Sequence, residues 1–178
     1  PVLSVVRGVN GVALGLMGFG WKPGPDPITI RTIRGANIIG QSRQAIDDAL
    51  DYAKTHTRNG QPGGAVDIKA SNYVFTTTDG PSAGAVKTVA FLALFQQDPI
   101  KPGIAMTGTI KPNGDVGFVG GIPDKLQAAA REGYRTVLIP YGQRDTYLWN
   151  LDPIARQLGI ELIEVRTVEE AYSIFTGR

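Results

Sequence analysis

Cysteine is absent from the 178 residues and histidine occurs once. Disulfides, thiolate metal sites and a cysteine nucleophile are therefore excluded, while either a reducing or an oxidising compartment is compatible. With His56 the only histidine, a His-rich metal centre is excluded and any Ser-His-Asp arrangement would depend on that one ring. Long apolar runs are scarce too. The best membrane candidate, Gly11 to Trp21, is about half the roughly 20 residues a spanning helix needs, and it carries glycines. Charge of one sign is not concentrated: 18 basic and 16 acidic residues leave a formal net charge of +2, scattered along the chain, so no nucleic-acid partner is expected. Two nucleotide signatures also fail. Gly18-Phe19-Gly20 lacks a third glycine at the required spacing, where Pro23 stands, and Lys87-Thr88 lacks the glycine that precedes lysine in a phosphate loop.

The chain is 42% hydrophobic, and its length fits one packed domain, residues 1–178. It begins at Pro1 without methionine, so a longer chain is expected upstream. Val2 to Val6 and Val12 to Leu16 read as strands, Gly18 to Pro27 as a loop, and Ile28 to Arg31 as a strand. Ala45, Ile46, Ala49, Leu50 and Ala53 share one face of a helix from Ser42 to about Thr57, with His56 in its last turn. Ala65 to Ala70 alternates as a half-exposed strand leading on through Tyr73, Val74 and Phe75. Ile104 to Ile110 and Val116 to Val119 flank Asn113-Gly114 as a hairpin, which places Thr107 on a strand. Pro123 opens a helix that Gly133 ends, Thr136 to Pro140 is a buried strand, and Leu151 to Leu158 is a short helix. Ile160 to Val165 is a last strand, and Thr167-Val168-Glu169-Glu170 is a capping box for the final helix.

The chemistry concentrates at Thr78-Asp79-Gly80-Pro81-Ser82-Ala83-Gly84, ahead of the apolar run from Ala85 to Phe95. Asp-Gly-Pro ends a strand, and Pro is pre-set for helix entry, so Ser82 is expected in the first turn of a helix. There the unpaired N–H groups and the positive end of the helix dipole favour a developing oxyanion. The plainer alternative is that Asp79 and Ser82 cap the helix. A serine hydroxyl needs a base to take its proton. With no histidine motif, a lysine would have to serve, its pKa lowered from about 10.4 by burial. Lys125, beside Leu126 and behind Gly120-Gly121, is the candidate, against the plainer reading of an exposed helix lysine.

Five segments in order carry a family resemblance: Val9-Asn10-Gly11, Asp79 to Gly84, Ala105-Met106-Thr107-Gly108, Gly120-Gly121 with Lys125, and Thr136 to Pro140. With them the chain resembles the Lon family of Ser-Lys proteases (peptidase S16) over nearly its whole length. The resemblance implies an α+β fold like domain 2 of ribosomal protein S5, with Ser82 as nucleophile and Lys125 as general base. It also implies Thr107 as a supporting hydroxyl. Asp79 is expected to orient the turn or Lys125, and the backbone around Gly80, Pro81 and Ser82 to hold the oxyanion. The implied activity is hydrolysis of peptide bonds in unfolded or damaged polypeptides through an acyl-enzyme. A homo-oligomer, in the family often a six-membered ring, is implied as well. No cofactor belongs to this domain, and ATP enters only if an AAA+ module acts upstream or as a partner, in cis or in trans. The compartment stays open: the cytoplasm is favoured, and a membrane tether fits if an anchor precedes Pro1. Histidines that many bacterial relatives carry in the strand before the serine are replaced here. The alternatives are a dormant Lon-like assembly domain and, more remotely, anion binding at the Gly80-to-Gly84 helix start.

Overall fold

The computed structural model describes residues 2–8, 11–33, 37–38, 40–70, 77–78 and 80–178. Val9-Asn10, the Tyr73-Val74-Phe75 stretch and Asp79 lie outside the described residues. In chain order the elements are β1 (Val2–Gly8), β2 (Gly11–Pro27), β3 (Thr29–Ile33), β4 (Asn37–Ile38), α1 (Gly40–His56), β5 (Gly63–Ala70), β6 (Thr77–Thr78) and α2 (Gly84–Gln96). They continue with β7 (Ile104–Met106), β8 (Thr109–Ile110), β9 (Val116–Gly117), α3 (Ile122–Arg131), β10 (Thr136–Pro140), α4 (Leu151–Leu158), β11 (Glu161–Val165) and α5 (Val168–Thr176). The architecture is mixed α/β. One sheet has the order β1-β2-β5-β3, a second, parallel sheet has the order β11-β10-β7, and β4-β6 and β8-β9 form short pairs.

Two apolar clusters hold these layers. Ile46 and Ala49 of α1, Val89, Phe91 and Phe95 of α2 and Phe175 of α5 pack with Val66 and Ile68 of β5. Ile122 and Leu126 of α3 and Leu151 of α4 pack with Val137 and Ile139 of β10. Leu138 belongs to the first cluster and its two neighbours to the second, so β10 is covered on both faces. A parallel strand buried on both sides reads as an unbroken apolar run, which is what Val137-Leu138-Ile139 is.

The expected loop from Gly18 to Pro27 is instead the continuation of β2. It pairs antiparallel with β5 from Met17↔Ala70 to Pro23↔Gly64, with a register shift before Pro27↔Gly63. Proline fits because β1 pairs only with Gly11 to Met17, so that beyond Met17 no strand among the described residues pairs with the other edge of β2. Glycine on the partner strand permits the bulge: a Cβ on Gly64 would lie 2.1 Å from the Lys22 carbonyl oxygen.

The expected hairpin strand from Ile104 to Ile110 is also divided. β7 joins β10 in parallel, β8 pairs with β9, and Thr107-Gly108 lies between them. Thr107 keeps one sheet bond, its N–H donating to the Leu138 carbonyl at 3.0 Å. Gly108 turns its backbone toward the serine turn.

Candidate active site

α2 begins at Gly84, so Ser82 stands in the turn that precedes it. Gly80, at φ +115°, takes a backbone conformation that side chains disfavour, and the turn closes with Gly84 N–H donating to the Pro81 carbonyl at 2.9 Å. The N-cap is Ala83, which makes no side-chain capping bond. Ser82 thus stands one residue ahead of the N-cap of α2.

The turn is tied to Thr107-Gly108 in both directions. Gly108 N–H donates to the Ser82 carbonyl at 2.8 Å, and Ala85 N–H donates to the Gly108 carbonyl at 3.1 Å. The approach tolerates no side chain at Gly108, where a Cβ would meet Val116 Cγ1 at 2.4 Å. Thr107 Oγ1 also donates to the Ser82 carbonyl, at 3.2 Å.

Lys125 arrives from the other side. Gly121 caps α3 in the left-handed conformation, φ +65°, and its carbonyl accepts the Lys125 N–H at 3.2 Å. Ile122 and Leu126 are fully buried, which anchors the helix and directs the intervening first turn at the strand break. Lys125 Nζ donates to Thr107 Oγ1 at 3.0 Å. Ser82, Thr107 and Lys125 are thus brought together from three segments by one hydroxyl. Thr107 is buried, and the other two are half-buried. Gly80 is half-buried and Pro81 exposed in the same turn.

His56 is exposed at the end of α1, its ring stacked on Tyr52 at 3.8 Å and its Nδ1 at 2.9 Å from the Tyr52 carbonyl oxygen. Among the described residues, no group of three or more His, Asp or Glu is placed to hold a metal ion. No described helix is long and apolar enough to cross a membrane.

Two features escape a reading of the sequence by motif. Lys87 is fully buried in α2, and its Nζ lies 3.2 Å from Ser42 Oγ and 3.4 Å from the Ser42 carbonyl oxygen. Burial lowers its pKa to about 8. The signal was the breadth of the apolar coverage of α2, which leaves a lysine on that helix no exposed face. The second is Gln143, buried in the turn after β10 and bonded to the segment that leads into α3.

Residues 66–175 match the family described as the Lon protease (S16) C-terminal proteolytic domain. A Lon protease of Elusimicrobium minutum is 29% identical over 143 residues, covering 77% of this chain and 17% of that protein. A mitochondrial Lon protease homolog of Ostreococcus lucimarinus is 32% identical over 144 residues, covering 75% of this chain and 15% of its own length. A Lon protease of Buchnera aphidicola is 40% identical over 101 residues, covering 56% and 12%. This chain therefore spans less than a fifth of the length of each of these relatives. The matched segment contains the serine turn, the strand break at Thr107 and the Lys125 helix, and the chain belongs to the Lon protease (S16) proteolytic-domain family.

Proposed function

We propose that the chain is the proteolytic domain of a Lon-type serine endopeptidase in which Ser82 and Lys125 form a Ser-Lys dyad. The observation that carries this reading is the contact of Lys125 Nζ with Thr107 Oγ1, 3.0 Å, on the hydroxyl that also holds the Ser82 carbonyl. It brings an amine to the serine turn without histidine. A neutral Lys125 donates to Thr107 through one N–H and keeps its lone pair for the Ser82 proton. Ser82 Oγ then attacks the substrate carbonyl, and the proton passes from Lys125 to the leaving amine. Water, deprotonated by Lys125, then attacks the acyl carbon, the bond to Ser82 Oγ breaks, and the proton returns from Lys125 to Ser82 Oγ as the acid leaves. Backbone N–H groups around Gly80, Pro81 and Ser82 are the proposed oxyanion donors, Pro81 contributing shape because it has no N–H. Thr107 fixes the lysine against the turn, and Asp79 is the proposed orienting carboxylate.

The wider reading rests on the family. The proposed substrates are unfolded or damaged polypeptides, the proposed assembly is a homo-oligomer such as a six-membered ring, and ATP is used by an AAA+ module in cis or in trans. We also propose residues 1–178 as one unit with the fold of domain 2 of ribosomal protein S5.

The test is intact-mass detection of a covalent adduct with a peptidyl serine-directed electrophile. An adduct that maps to Ser82, is lost in Ser82→Ala and is suppressed in Lys125→Ala supports the dyad. A folded native protein that forms none, at low or high protein concentration, refutes an active dyad in favour of a dormant assembly domain.

A further inference from the structure

Gln143 is 5% exposed although it sits in the turn between β10 and α4. Its carboxamide forms both halves of a β-type pair with one residue: Val119 N–H donates to Oε1 at 2.9 Å, and Nε2 donates to the Val119 carbonyl at 2.8 Å. Val119 belongs to the connection from β9 to α3. Among the described residues, no backbone–backbone hydrogen bond is made by Phe118, Val119 or Gly120. The side chain of Gln143 thus takes the place of a missing strand.

The clamp is itself held firmly. Gln143 N–H donates to the Pro140 carbonyl at 3.2 Å, and its own carbonyl accepts Trp149 Nε1–H at 2.8 Å. The preceding Gly142 N–H donates to Glu164 Oε1 at 2.7 Å. What it holds is pliant. Gly120 has open space where a Cβ would stand, and Gly121 caps α3 at φ +65°. Directly beyond lies Lys125, whose N–H is bonded to the Gly121 carbonyl.

We propose that Gln143 is a positioning residue for Lys125: by pairing with Val119 it fixes the glycine entry to α3 and so the reach of the lysine to Thr107 and Ser82. The proposal rests on the Ser82–Lys125 reading above. The body of α3 keeps its own anchors in the fully buried Ile122 and Leu126, so loss of the clamp loosens the entry and first turn of the helix and leaves the core intact. A misplacement of about 1 Å between reacting groups costs on the order of a hundredfold in rate.

The experiment compares native protein, Gln143→Met, Gln143→Glu and Lys125→Ala. It measures acylation of Ser82 by the electrophile, kcat and KM on a fluorogenic peptide, amide exchange over 119–125 and thermal melting. Gln143→Met, which removes both bonds, is expected to lower kcat by about ten- to a hundredfold with KM within about twofold. Exchange over 119–125 should quicken in the same variant. Gln143→Glu keeps the acceptor for Val119 N–H and loses the donor, and should fall between native and Gln143→Met. A folded Gln143→Met with native kcat and exchange overturns the proposal, as does a loss in both variants that only follows their melting temperatures. Native acylation that needs Lys125 but ignores Gln143 overturns this proposal alone. Native protein that is not acylated at Ser82 overturns the dyad and this proposal with it.

Discussion

Replacing Lys87 by methionine should change the pH dependence of stability more than its value at any one pH. Lys87 is fully buried in α2, its amine faces Ser42 in the first turn of α1, and that turn carries no acidic residue to offset an ammonium. Burial lowers its pKa from 10.5 to about 8. At about 1.36 kcal/mol per pH unit, that gap corresponds to roughly 3 kcal/mol. The direction follows from proton counting. Between pH 8 and pH 10.5 the unfolded chain holds the proton that the folded chain has released, so folding stability rises with pH through this window. Below about pH 8 both states are protonated, and the whole cost of burying the charge is borne. Lys87→Met removes that cost and also removes two hydrogen bonds to Ser42, each worth about 0.5–1.5 kcal/mol net. At neutral pH the variant should be more stable by about 1 kcal/mol or equal to native. Urea unfolding at steps from neutral pH to pH 10.5 gives the assay. The stability difference between variant and native should shift by roughly 3 kcal/mol in favour of native across that range. Two parallel curves would refute the reasoning, because they would mean that the amine titrates alike in the folded and unfolded chains.

Thr107→Val should keep the fold to within about 1–2 kcal/mol and lower kcat/KM for peptide cleavage by about ten- to a hundredfold, since it removes the hydroxyl that joins Lys125 to the Ser82 carbonyl. Unchanged turnover would remove Thr107 from the site. Gly108→Ala should destabilise by about 1–3 kcal/mol because its Cβ collides with Val116 Cγ1, and Val116→Ala in the same chain should restore part of the loss in a melting experiment. Asp98, 2% exposed at its side chain, accepts Arg58 at 2.7 Å and Arg178 at 2.6 Å and is bonded by the Tyr172 hydroxyl. Burial, aided by that bond to Asp98, raises the Tyr172 pKa to about 12. Asp98→Asn should therefore let Tyr172 ionise at lower pH in an ultraviolet titration, with a loss of about 1–3 kcal/mol in stability.

Much of the local structure follows from signals acting within a turn or two. The apolar periodicity of α1, the bounds of α4 and the Thr167 cap of α5 agree with the elements observed, the Thr167 hydroxyl accepting Glu170 N–H at 3.2 Å. The second half of the capping box differs by one residue, since Glu170 Oε2 accepts the N–H of Arg166 at 2.7 Å. The order of motifs around Ser82, Thr107 and Lys125 was also legible, and so was the family. Glycine and proline misled where their effect depended on neighbours. Pro23 to Pro27 read as a loop, yet they continue β2 past the stretch that β1 pairs with, where proline needs no partner for a missing N–H on that edge.

Tertiary structure decided the long-range pairings. The lysine-to-threonine bond spans 18 residues, the threonine-to-serine bond 25, the Gln143 clamp 24 and the Lys87–Ser42 contact 45. Each joins polar groups whose partners are set by how layers stack, not by the few residues on either side. Periodicity and capping are determined locally because their energies arise within a single turn of helix or a single strand. A buried amine, a carboxamide that takes the place of a strand, or a strand broken at Thr107 so that Gly108 can meet Ser82 exists only once the sheets and helices have closed around it.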